Sequence, residues 1–149
     1  MPAECAILIG LPGSGKSTFY RERLAATHLH VSKDLFSNAR NRQARQDAQL
    51  REALARGASV AVDNTNVSPP ERASIIAIAR EYGARVVGHY IEASTREAVA
   101  RNERREGKAR VPKVAIFTSA KRLVAPRLDE GFDELHRYRA DQGSFVELA

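Results

Sequence analysis

Three short runs rich in aliphatic residues, Cys5 to Gly10, Ser59 to Asp63 and Arg85 to Glu92, punctuate a chain whose intervening stretches place apolar residues at helical spacing. Strands buried on both faces read this way, and their alternation with helices predicts an α/β fold with a parallel sheet flanked by helices. A further short run, His30-Val31-Ser32-Lys33, reads as a second strand. Helices are expected from Gln43 to Arg56, with Ala44, Ala48, Leu50 and Leu54 inward and Gly57 closing the end, and from Ser68 to Gly83. The latter opens on a capping serine, Pro69 at the first helical position and Glu71 placed to bond back; Ile75, Ile78, Ala79 and Tyr82 form its apolar stripe. Ser94 to Glu97 repeats the capping arrangement, but beyond Ala98 and Val99 that helix turns almost wholly charged, running through Arg101, Arg104 and Arg105 to a hinge at Gly107. After Val111-Pro112 another helix is predicted, with Val114, Phe117, Ala120 and Val124 on one face, and a last strand at Phe132 to Arg139 in preference to Gly143 to Leu148. With no repeat, low-complexity stretch or long linker, residues 1–149 read as a single domain.

The first apolar run leads directly into Gly10-Leu11-Pro12-Gly13-Ser14-Gly15-Lys16-Ser17-Thr18, a complete phosphate-binding loop where a strand hands over to a helix. For this composition the pattern would arise by chance in roughly two of a thousand chains. Its glycines let backbone N–H groups curl around phosphate oxygens, and the following helix points its partly positive end at the same anion. Gly10, Pro12, Gly13, Ser14, Gly15, Lys16, Ser17 and Thr18 are therefore the expected triphosphate-binding residues, with Lys16 reaching the outer phosphates and Ser17 supplying a hydroxyl to Mg²⁺.

Lysine and arginine total 24 against 18 acidic residues, a formal charge of +6 that raises the local concentration of polyanions. Cys5, the single cysteine, lies within an apolar strand and reads as a small buried hydrophobe, so no disulfide within the chain is expected. Neither an export signal nor a run of eighteen apolar residues is present, which leaves cytoplasmic residence as the expectation, with no membrane partner.

A phosphoryl transferase needs a carboxylate near the loop to take the acceptor's proton. Asp34, at the end of the second strand, is the first choice, the alternative being a helix cap; Asp63, at the end of the third, competes with it or steadies the magnesium shell through water. Asn64-Thr65-Asn66 places short polar groups at the same strand end, and the arginine-rich stretch is either a solvated face or a lid that closes over the triphosphate. His28, His30, His89 and His136 have no metal-ligand spacing and receive no role.

The phosphate loop, Ser32-Lys33-Asp34, Asp63-Asn64-Thr65-Asn66, the arginine-rich stretch leading to Val111-Pro112, and Ala125-Pro126-Arg127-Leu128 with Glu130-Gly131-Phe132, taken in that order, resemble the kinase domain of polynucleotide 5′-hydroxyl kinases, most of all the kinase half of the animal kinase-phosphatases. The resemblance covers nearly the whole chain and implies a P-loop kinase fold with an arginine-rich lid, ATP and Mg²⁺ as cofactors, and transfer of the γ-phosphate to a 5′-hydroxyl of DNA or RNA. Asp34 matches the family's general base, Lys16 and Ser17 its phosphate and magnesium residues, Arg101 the arginine near the nucleotide, and Arg105 the arginine directed at the transferring phosphate. Phage-type members carry an arginine three residues after the base; here that position is Ser37, which leaves Lys33, Arg40 or Arg42 to hold substrate phosphates, with Thr65 and Asn66 as further contacts. The phosphatase motif of the bifunctional members is absent, so kinase activity alone is expected, with phosphatase and ligase steps on separate proteins. A P-loop kinase of a small hydroxyl compound is the nearest alternative, and a non-catalytic ATP-dependent binding module a third.

Overall fold

The computed structural model describes residues 2–36 and 40–149. β1 (Glu4–Ile9) leads through the phosphate loop into α1 (Lys16–Phe19), which continues as a π-helical turn to Leu24; β2 (Leu29–Val31) and a 3₁₀ turn (Lys33–Phe36) precede α2 (Arg42–Ala55). Then come β3 (Val60–Asp63), α3 (Pro69–Glu81), β4 (Arg85–Glu92), α4 (Thr95–Glu103), α5 (Lys113–Arg122), β5 (Glu134–Asp141) and β6 (Ser144–Leu148). The described strands form one six-stranded sheet in the order β2-β3-β1-β4-β5-β6, parallel except where β6 returns antiparallel to β5.

Both faces of β1 are covered, which explains its unbroken apolar run. Cys5, Ile7 and Ile9 pack with Val60, Val62 and the helix residues Leu50, Leu54, Ile75 and Ile78; Ala6 and Leu8 pack on the other side with Phe19, Leu24, Ile91, Tyr138 and Phe145. Burial pushes the Cys5 thiol up to about 12, with the Glu4 charge adding to it, so the thiol stays protonated inside the core. A third, smaller cluster of Leu11, Ala98 and Ile116 joins the phosphate loop to α4 and α5.

Three expected stripes are corrected by packing. On α2, Ala44 and Ala48 face solvent and Gln46 is buried, because its amide oxygen accepts from Asn64 Nδ2 at 2.5 Å. On α3, Ile76 lies inside while Tyr82, at the helix end, is 39% exposed. The largest shift is on α5, where Val114 is 67% exposed and Phe117 48%, whereas Ile116 is fully buried and Ala120 and Leu123 pack behind it. Residues 114–117 are apolar at every position, so two stripes were open, and contact with Leu11 and Ala98 selects the one through Ile116. The C-terminal segments are both strands rather than one, joined at Gln142 (φ 48°) and Gly143 (φ 83°), the paired left-handed residues that a tight hairpin turn requires. Among the described residues no helix is long and apolar enough to cross a membrane.

Candidate active site

The site forms at the carboxyl ends of β1, β3 and β2, where open parallel sheets gather ligands. Ser14 is fully buried and Lys16 nearly so. The Lys16 ammonium folds back over the loop, donating to the carbonyls of Gly10 and Leu11, each at 2.9 Å. Burial lowers its pKa to about 8, with Asp63 and Asp34 opposing that shift and Arg105 adding to it. Asp63, Asp34 and Arg105 therefore all lie within electrostatic reach of this one amine. Gly13 is required by contact as well as conformation: its φ is 82°, and a Cβ there would stand 2.4 Å from the Ala98 carbonyl oxygen on α4.

Asp63 ends β3 almost buried, and its Oδ2 accepts from Ser17 Oγ at 2.9 Å and meets His30 Nε2 at 2.8 Å. Burial alone would raise this carboxyl, but the His30 hydrogen bond, the Lys16 charge and the Ser17 hydroxyl together hold it below the ordinary range. A buried, ionised carboxylate beside an exposed hydroxyl is an oxygen donor set of the kind a hard divalent cation such as Mg²⁺ takes, so these two residues fit that ion.

The turn after β3 is braced from below. Asn66 (φ 48°) donates to the Leu8 carbonyl at 2.8 Å, and its own carbonyl accepts from Arg72, which is fully buried and bidentate to Glu130 at 2.8 and 3.0 Å. Asn66, expected among the substrate contacts, is thus 4% exposed and turned into the fold. The Glu130-Gly131-Phe132 motif also gains a physical meaning here: it carries the carboxylate that neutralises Arg72. Thr65 is half-buried and its carbonyl accepts from Gly10 N–H at 3.0 Å, tying the same turn to the phosphate loop.

Arg101, in the last turn of α4, donates to the Ser14 carbonyl at 2.6 Å. Asn102, buried beside it, donates to the Val111 carbonyl at 2.6 Å and accepts from Val111 N–H at 2.9 Å, so the arginine-rich segment starts and ends at one clamp. Arg105 lies within that segment, half-buried, bonded to the Ala109 carbonyl at 3.3 Å. Between the segment and the β5–β6 hairpin opens a cleft of about 510 Å³ lined by Gly15, Thr18, Arg101, Arg105, Gln142 and Phe145. Pro12 is half-buried in the loop itself.

On the opposite side, Asp34 sits in the 3₁₀ turn after β2 with its side chain 92% exposed; Arg42 Nη2 approaches it at 3.4 Å. It caps no long helix, since the N-cap of α2 is Asn41. Lys33 N–H donates to Asn64 Oδ1 at 2.9 Å, and its carbonyl accepts from Arg42 Nε at 3.1 Å, which locks the Asp34 turn to the end of β3. Arg40 is exposed, and Ser37 lies outside the described residues. Two residues escaped sequence reading: His30, whose partner is thirty-three positions away, and Asn102, whose polar side chain in a charged helix end looked solvated. His89 is buried with both ring nitrogens unpartnered among the described residues; burial, aided by His136 and His28, lowers it to about 4, so it is neutral there.

The family model described as an AAA domain matches residues 6–126. The chain belongs to that family. Its structure is a P-loop kinase fold, as the sequence implied. A bifunctional polynucleotide phosphatase/kinase of Schizosaccharomyces pombe is 27% identical over 87% of this chain and 32% of its own, and a putative one of Acanthamoeba polyphaga mimivirus 30% identical over 89% and 32%. The chain thus spans about a third of the length of these curated relatives. A solved chain of the Pnkp1/Rnl/Hen1 RNA repair complex matches with a TM-score of 0.69 at 27% identity, over 81% of this chain and 44% of that one. A gluconokinase from Sinorhizobium meliloti 1021 matches with a TM-score of 0.65 at 20% identity, over 95% and 84%, a likeness of fold alone. The resemblance to polynucleotide kinases read from the sequence therefore stands on relatives matched along most of this chain.

Proposed function

We propose that this chain is a polynucleotide 5′-hydroxyl kinase, transferring the γ-phosphate of ATP to the 5′ end of a DNA or RNA strand. The observation that carries the reading is the contrast between the two sides of Lys16: a walled, half-open cleft toward Arg101 and Arg105, and a fully exposed carboxylate beside basic residues at Asp34. An acceptor that is the end of a long polyanion needs the second side open and positive, as Lys33, Arg40 and Arg42 make it. The polynucleotide kinase names of the relatives support the same reading.

In this account the triphosphate lies along the loop amides with Lys16 at its outer phosphates, and Arg101 and Arg105 border the donor cleft. Asp34 takes the proton of the 5′-hydroxyl as its oxygen attacks the γ-phosphorus; the bond to the β–γ bridging oxygen breaks, and ADP departs. Arg105 stabilises negative charge moving through the transferred group. Ser17 and Asp63 would hold Mg²⁺, and that ion when bound would offset charge on the phosphate oxygens.

The test is transfer of labelled γ-phosphate from ATP to a 5′-hydroxyl oligonucleotide, with the 5′-phosphorylated oligonucleotide and Asp34→Asn as controls. Label on the free 5′-hydroxyl alone, lost in the variant, is the expected result. Nucleotide binding without transfer to any oligonucleotide would turn the assignment toward a small hydroxyl acceptor, the chemistry of the gluconokinase that shares the fold.

A further inference from the structure

The register of β2 on β3 sets His30 opposite Ala61, on the sheet face that Asp63 shares two residues on. From that edge the imidazole reaches the Asp63 carboxylate at 2.8 Å, while the Tyr20 ring covers it at 4.6 Å between centroids. Tyr20 is itself fixed, its hydroxyl donating to the His28 carbonyl at 2.5 Å, and it opens the π-helical turn that extends the phosphate-loop helix. One oxygen, Asp63 Oδ2, thus faces two groups, Ser17 Oγ–H and the His30 ring nitrogen. Because the carboxylate is ionised and accepts only, His30 Nε2 must carry the hydrogen. Two donors converging on one oxygen fix the carboxylate's rotation and leave Oδ1 without a hydrogen bond among the described residues.

We propose that His30 is a positioning residue for the metal side of this site. By donating to Asp63 Oδ2 it holds the carboxylate where Ser17 must donate its hydroxyl hydrogen to it, which turns the serine lone pairs away from Asp63 and toward the phosphate loop. A hydroxyl so oriented is ready to act as a metal ligand, whereas a carboxylate free to rotate would let it point elsewhere. The imidazole is 32% exposed at the sheet edge, so its polar bond, rather than core packing, is its main interaction with the site. This inference rests on the reading of Ser17 and Asp63 as the Mg²⁺ pair and is independent of which hydroxyl accepts the phosphate.

The experiment titrates Mg²⁺ against binding of a fluorescent, non-hydrolysable ATP analogue to the full chain, in the wild type, His30→Ala and His30→Gln, with a metal-free series for each. Outer partners of metal ligands commonly set affinity by 10- to 100-fold, so His30→Ala is expected to raise the half-saturating Mg²⁺ about tenfold while metal-free affinity stays within about twofold. His30→Gln, whose amide N–H can still reach the carboxylate, is expected to recover most of the loss. An unchanged Mg²⁺ midpoint in His30→Ala overturns the proposal, as does an equal loss with and without metal, which would mark a structural role for the edge strand. Wild-type binding that ignores Mg²⁺ altogether would overturn the reading of Ser17 and Asp63 as well.

Discussion

The two sides of Lys16 are built differently. Toward the donor cleft, the phosphate loop is bonded to Arg101, packed against Ala98 and set with Gly15 against the buried Phe145, so the groups that meet the triphosphate are held before it arrives. Toward Asp34, the turn is fixed by two bonds to the Lys33 backbone, yet Asp34 and Arg40 stand in solvent, with Lys33 and Arg42 half-buried beside them. A site that must place one small, invariant donor gains from rigid walls. A site that must receive the end of a long strand needs open ground, with its specificity resting on charge and on one exposed carboxylate.

The largest expected break in that comparison is Asp34→Asn. Turnover should fall by about 10² to 10⁴ while nucleotide affinity, read by calorimetry, stays within about twofold, because the role proposed for the carboxylate is to take the acceptor's proton. Loss of nucleotide binding in that variant would merge the two sides into one.

Next in size is Arg72→Ala, which strips the partner from Glu130 and the donor from the Asn66 carbonyl. Breaking a buried pair from one side costs about 3 kcal/mol, and chemical denaturation should register it. Because Asn66 and Thr65 brace the loop from beneath, nucleotide affinity should weaken more than oligonucleotide affinity. An unchanged denaturation midpoint would sink this account of the brace.

Salt sharpens the contrast. If the open side grips a single strand through about three phosphates, oligonucleotide affinity should drop roughly twentyfold between 50 and 200 mM salt. A flat salt response would point to a neutral small acceptor.

The smallest effect belongs to the cleft side. Burial depresses Lys16 to about 8 from 10.5, and a triphosphate, being an anion, restores the charged form. The free protein therefore carries the proton below that value and loses it above, so nucleotide affinity should hold through neutral pH and then fall toward tenfold per pH unit above about 8. Calorimetry in buffers of different ionisation heat should detect proton uptake on binding near that pH.

How much of this could be read from residues follows the same division. The donor side announced itself through local spacing, since loop, strand and helix lie within fifteen residues and each glycine has a reason. The capping box at Ser94 formed in both directions, and at Ser68 the Glu71 carboxylate bonds back to the N-cap N–H at 3.2 Å. What spacing could not reveal were pairings made by tertiary packing: His30 on Asp63 across two strands, Arg72 of α3 on Glu130, and Asn102 of α4 on Val111. The hairpin of β5 and β6 was half seen, because two short polar-faced strands compete for one assignment until the turn at Gln142-Gly143 pairs them. On α5 four successive apolar residues left the inward face open, and contact with Ala98 decided it.

The central claim is that the open side takes the end of a polynucleotide, and acceptor competition tests it most directly. A 5′-hydroxyl oligonucleotide and a panel of sugars, sugar acids and nucleosides, offered together with labelled ATP, should yield label almost wholly in the oligonucleotide, recovered on its 5′-terminal nucleotide after nuclease digestion. Label collecting instead in a small hydroxyl compound, with the oligonucleotide blank, would contradict the account.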